Sequence, residues 1–160
     1  MPDPEFESVR RPFDAAFHRM CSATTVGDLE DELSNALHHL YRLAELCKTR
    51  FGVDSQAFYH GSTAVLRRSQ DLRAARAIAW ARAFDTHETV VVASHSDIYS
   101  NFYTEMYGSL VWKPLAQLPV QTDKHDRHID YQSELQGRPV LDSIRRAFDA
   151  LAALLQNSTA

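Results

Sequence analysis

Arg82 and His87 stand in the spacing R-x4-H within segment 72–92, LRAARAIAWARAFDTHETVVV, and are the pair whose types point to chemistry. An arginine is a permanent cation with a planar fork of donors, and a histidine titrates near neutrality and can pass a proton either way. Burying a guanidinium without a partner is costly, so Arg82 has to meet a carboxylate or an anionic ligand. On one helix the two side chains sit roughly 140° apart at ~100° per residue, so a single copy does not bring them together. Across a two-fold axis each flank can face its copy from a second chain, which makes the pair half of a composite site. The plainer reading has Arg82 held by Asp85 or Glu88 in a structural network, with His87 a satisfied core histidine.

The helix that must carry these residues has Leu72, Ala75, Ala79, Ala83, Thr86 and Val90 in one stripe at steps of three and four. The small side chains in the middle of that stripe allow a second helix to come close, and they predict a homodimer packed through the 72–92 helix. Apolar character is nearly all-round from Ile78 to Val92, which puts this helix in the middle of a bundle. For the same reason Thr89-Val90-Val91-Val92 is predicted as continued helix, although β-branching alone would make it a strand. Arg67, Arg68, Arg73, Arg76 and Arg82 form the one basic concentration, opposed only by Asp71 before Asp85. It reads as a solvated flank or as a phosphate-facing surface.

Other helices surround it. Phe6, Val9, Phe13, Phe17 and Met20 give helical spacing over 4–21, where Pro12 is expected to start a new helix or kink this one. Thr25 followed by Asp28 resembles a capping box, and from there to about residue 50 runs the cleanest amphipathic pattern. Its stripe is Leu29, Leu33, Leu37, Leu40, Ala44, Cys47 and Phe51, with Gly52 as the C-cap. The stretch 53–66 is irregular, and Ser69 is placed to cap the central helix. Ile98, Tyr99, Phe102, Tyr103 and Met106 keep helical spacing up to Gly108. A connector, 108–137, is punctuated by proline, anchored by Val111, Trp112, Leu115 and Leu118, and predicted to lie extended over the bundle; a short helix at 131–136 ends it. Pro139 opens the last helix, about 138–156, with Val140, Leu141, Ile144, Phe148, Leu151 and Leu155 inside.

The 160 residues suffice for one domain and hardly for two, and five glycines and six prolines argue against a turn-rich β architecture. The prediction is therefore an all-α, single-domain bundle of about four to six helices. A net charge of −4 excludes a globally basic nucleic-acid binder; any RNA contact needs a local patch. No apolar run approaches the ~20 residues of a membrane span, and the start has no signal-peptide core, so a cytoplasmic protein with no membrane contact is expected. Cys21 and Cys47 lack metal-ligand spacing and read as free, buried thiols. Adjacent His38 and His39 point about 100° apart and do not chelate one ion. A three-histidine site from His87 and His95 with one of them is conceivable, but no metal and no cofactor is predicted. His125-Asp126-Arg127-His128 reads as a solvated turn. Tyr99, Phe102, Tyr103 and Tyr107 could stack bases, though core or dimer interface fits their spacing better.

An all-α domain of this length with R-x4-H inside a central helix resembles the HEPN superfamily, the likeness covering roughly 28–107. The pattern VWKPLAQLP with LQGRPVLDSIRRAFDALAALL is similar to HEPN-like actinobacterial proteins. The resemblance implies a homodimeric, metal-independent endoribonuclease of bacterial or phage conflict, with Arg82 and His87 catalytic and a cognate regulatory or antitoxin protein as a possible partner. The residue types suit that chemistry. The substrate's own 2′-hydroxyl attacks the adjacent phosphorus, His87 carries the proton, and Arg82 meets charge on the phosphoryl oxygens. Arg76 is predicted to assist in phosphate contact and Asp85 to contribute to substrate binding. Two features depart from the family: Ala83 replaces the polar residue that often follows the arginine, and Thr89 stands where a tyrosine subject to modification would be. The alternative is a catalytically inactive HEPN-like module that binds a protein partner or RNA and regulates it.

Overall fold

The computed structural model describes residues 3–53, 58, 65–85, 92–93, 111–118 and 127–157; at 26, 83–85 and 92–93 it describes the backbone alone. Five α-helices occur among these residues: α1 Pro4–Ser22, α2 Val26–Phe51, α3 Gln70–Asp85, α4 Arg127–Glu134 and α5 Val140–Asn157. They pack into an all-α bundle around one apolar core, as the periodicities predict.

α1 starts where the Asp3 carboxylate accepts the N–H groups of Glu5 and Phe6, at 3.0 and 3.4 Å. No new helix starts at Pro12; α1 runs through it. An interior proline costs roughly 3 kcal/mol. Val9, Phe13, Ala16 and Met20 on either side are all buried. At ~1.5–3 kcal/mol for each large apolar side chain, their burial outweighs the lost hydrogen bond. α2 begins where the Thr25 hydroxyl accepts the Asp28 N–H at 3.1 Å. It ends at Gly52, whose φ of 62° lets its N–H turn back to Lys48 and Thr49. Its predicted stripe is buried from Leu29 to Cys47, with Phe51 packed at the margin.

α3 is capped by Ser69, whose hydroxyl accepts the Leu72 N–H at 3.2 Å. From Leu72 to Ala81 it is buried nearly all round, against α2, α4 and α5. The central position read from its composition is therefore correct. α5 closes the bundle with Val140, Ile144, Ala147, Phe148, Leu151 and Leu155 inward. Phe148 stacks on Phe13 of α1 at 3.7 Å between ring centres.

Two expectations are corrected here. Val92 is not helical: β1, Val92–Ala93, pairs antiparallel with β2, Val111–Trp112, in the register Val92 to Trp112. β-Branching prevails at Val92 because a partner strand exists 20 residues on; Thr89, Val90 and Val91 lie outside the described residues. The helix predicted at 131–136 begins earlier, at Arg127, so Arg127 and His128 are helical rather than part of a solvated turn. Its buried face includes Asp130 and Glu134, polar residues that an apolar pattern does not reveal. Of the described connector residues, Leu115–Gln117 form a 3-10 turn, and the anchors Trp112 and Leu118 are buried. The Trp112 N–H donates to the Arg138 carbonyl at 3.1 Å, and Gly137, at φ 71°, donates to the Trp112 carbonyl at 2.9 Å. The readings for 54–57, 59–64, 94–110 and 119–126 lie outside the described residues.

Candidate functional site

Arg82 sits in the last turn of α3, half-buried, where a cation also complements the carbonyl end of the helix. Its guanidinium lies over the ring of Tyr41 on α2, 4.3 Å from the ring centre. That distance is well inside the ~6 Å range of a cation–π contact. The ring attracts the cation through its electron-rich face and offers it no carboxylate oxygen. Among the described residues, Arg82 is held by this contact and not by a carboxylate. Asp85 ends α3, but its side chain, like Glu88 and His87, lies outside the described residues.

Arg76, expected to assist in phosphate contact, lies inside the bundle. It is wholly buried and paired with Asp130 of α4, itself a buried residue. Burial draws Arg76 below the usual arginine range, Asp130 opposes that, and the guanidiniums of Arg67 and Arg127 add to it. One turn earlier, Arg73 donates to Glu134 of the same helix at 3.1 Å. The basic run therefore divides, with Arg73 and Arg76 fastening α3 to α4 and Arg67 and Arg68 exposed. Placing Arg76 on the inner face needed its partner, Asp130, which is 54 positions away.

The small-residue seam divides as well. Leu72 and Ala75 are buried and Ala79 is half-buried within the chain's own bundle, so this part of the seam is not open to a second copy. Thr86 and Val90 lie outside the described residues, as does the side chain of Ala83.

On α2, the rings of His38 and His39 meet edge to face with centres 5.3 Å apart. Burial holds His39 below the ordinary histidine value, and the charges of His38, Arg42 and Arg19 add to that. The Nδ1 atom of His39 is buried without a hydrogen-bond partner. Among the described residues, no three His, Cys, Asp or Glu side chains are grouped to hold a metal ion. His87 and His95, needed for the three-histidine alternative, lie outside them. Nor is any described helix long and apolar enough to cross a membrane.

The two cysteines differ, correcting the expectation that both are buried. Cys21 is exposed; Cys47 is sealed in the core, its thiol turned to the Leu151 carbonyl at 3.5 Å. Burial pushes the Cys47 thiol up to about 12, which makes it inert at neutral pH. A thiol-reactive chromophore should therefore titrate one cysteine in the native protein and two in denaturant. Two equally fast thiols in the native state would mean that the core around Cys47 is open.

Tyr41 is the site residue that sequence reasoning passed over. It lies one residue after Leu40, just off the apolar stripe, and its signal was an aromatic ring flanking a helix that must face a buried-end arginine. The fold and this geometry define an all-α bundle with an arginine held over an aromatic ring. No family model, no curated protein and no solved structure matches the chain.

Proposed function

We propose that this chain is a metal-independent endoribonuclease of the HEPN type, acting in the cytoplasm in bacterial or phage conflict. The observation that carries the reading is the guanidinium of Arg82, half-buried at the end of the central helix and held over the Tyr41 ring. A phosphodiester about to be cut needs a cation of this kind, planar, always charged and held in place beforehand. The reading gives His87 the proton, Asp85 a part in substrate binding, and Arg76 no part. It keeps the homodimer but moves the two-fold contact beyond Ala81, where two R-x4-H motifs meet over one RNA strand. A cognate regulatory or antitoxin protein would control it.

The reaction would proceed by attack of the RNA 2′-hydroxyl on its neighbouring phosphorus and expulsion of the 5′-oxygen. It would leave a 2′,3′-cyclic phosphate and a 5′-hydroxyl. The test is digestion of total RNA by purified protein in excess EDTA, with Arg82→Ala and His87→Ala alongside. Cutting should survive chelation and disappear in both variants. A wild-type protein that binds RNA and cuts none would support the catalytically inactive module instead, for which Ala83 is the motivating residue.

A further inference from the structure

We propose that Tyr41 is the positioning residue of Arg82, holding the guanidinium over its ring so that the cation is in place for a phosphate of single-stranded RNA. The inference rests on the nuclease reading and adds to it a residue from a different helix. Its ground is the 4.3 Å contact between the Arg82 guanidinium and the Tyr41 ring. Both residues are half-buried, at the junction of α2 and α3. Alone, an arginine side chain has many rotamers and would have to be ordered when substrate arrives. Held over Tyr41, it is ordered beforehand, and less is lost on binding.

The contact also leaves the charge of the guanidinium in place. A carboxylate partner would take two of the five N–H donors and cancel the charge, whereas an aromatic ring does not cancel it. A cation held in this way keeps its charge for an anion. Tyr41 touches no reacting atom in this scheme and acts through Arg82. A purely structural Tyr41 would need only an apolar body of similar size; a positioning Tyr41 needs an electron-rich ring.

The experiment is fluorescence anisotropy with a short RNA carrying 2′-O-methyl groups throughout, so that it binds without being cut. Tyr41→Phe should bind within about twofold of wild type, because the ring is kept. Tyr41→Leu should bind about tenfold more weakly, the scale of a partly desolvated cation–π contact. Arg82→Ala should lose at least as much, and adding Tyr41→Leu to it should cost less than about twofold more, since the two act as a unit. Should Tyr41→Leu fail to fold, a cyano-substituted phenylalanine at position 41 keeps the shape with an electron-poor ring and should also weaken binding. Equal losses from Tyr41→Leu with and without Arg82 would overturn the positioning role and leave the nuclease reading standing. Wild-type protein that binds no RNA would overturn both.

Discussion

Asp130→Ala should destabilise the protein by about 3–5 kcal/mol, because it leaves the Arg76 guanidinium buried without the carboxylate that faces it. Arg76 has no exposure at all, and the Asp130 side chain is 11% exposed, so solvent cannot replace the lost charge without the helices parting. A domain's whole stability is about 5–15 kcal/mol, so the variant sits close to the unfolding threshold at 37 °C. Thermal melting should shift down by roughly 6–20 °C, at ~2–4 °C per kcal/mol for a chain of this size. The control is the double variant Arg76→Met, Asp130→Leu, which replaces both charges with apolar side chains of similar reach. It should recover most of the loss, since removing a buried pair together costs far less than removing one member. A single Asp130→Ala variant that melts within a few degrees of wild type would show that Arg76 reaches water or another anion. That would restore it as a candidate for phosphate contact.

That ion pair also shows where sequence reading stops. The helices were legible wherever a local signal and a buried stripe agreed. Thr25 and Ser69 begin α2 and α3, Gly52 ends α2 with a positive φ, and leucines from Leu29 to Leu40 mark the inner face. Burial of α3 followed from its nearly all-round apolar composition. What failed were features decided by a distant partner. Nothing near Arg76 says that Asp130 waits for it, so an interior arginine and a phosphate ligand look alike in sequence. Val92 has the side chain of a strand and a helical neighbourhood, and only pairing with Trp112 decides between them. Alanines at positions 75 and 79 permit close approach by any helix, and they do not say whether it belongs to the same chain. The candidate site was half legible. Arg82 stood out through the cost of burying its charge, but Tyr41 was hidden because an aromatic residue beside a leucine stripe is usually core.

Arg82→Ala should lower the rate of RNA cleavage roughly 10²–10³-fold, the usual result of removing one preorganised donor from a developing oxyanion. Arg82→Lys is the more informative change. It keeps a positive charge, but the compact ammonium lacks the planar fork of the guanidinium that lies over Tyr41. If the fork is what the phosphate requires, lysine should recover only part of the rate, leaving it about 10–10²-fold below wild type. If a point charge is enough, lysine should approach wild-type cleavage, and the need for a guanidinium fails even though the enzyme is real. His87→Ala should cost roughly 10²–10⁴-fold by removing the proton carrier. The pH profile separates the two roles. Arginine and lysine both stay cationic across the neutral range, so Arg82→Lys should lower the curve without moving its near-neutral limb. His87→Ala should abolish that limb. A limb that survives in His87→Ala would put the titrating group elsewhere, and the exposed His38, one turn before Tyr41 on α2, would be the next histidine to replace.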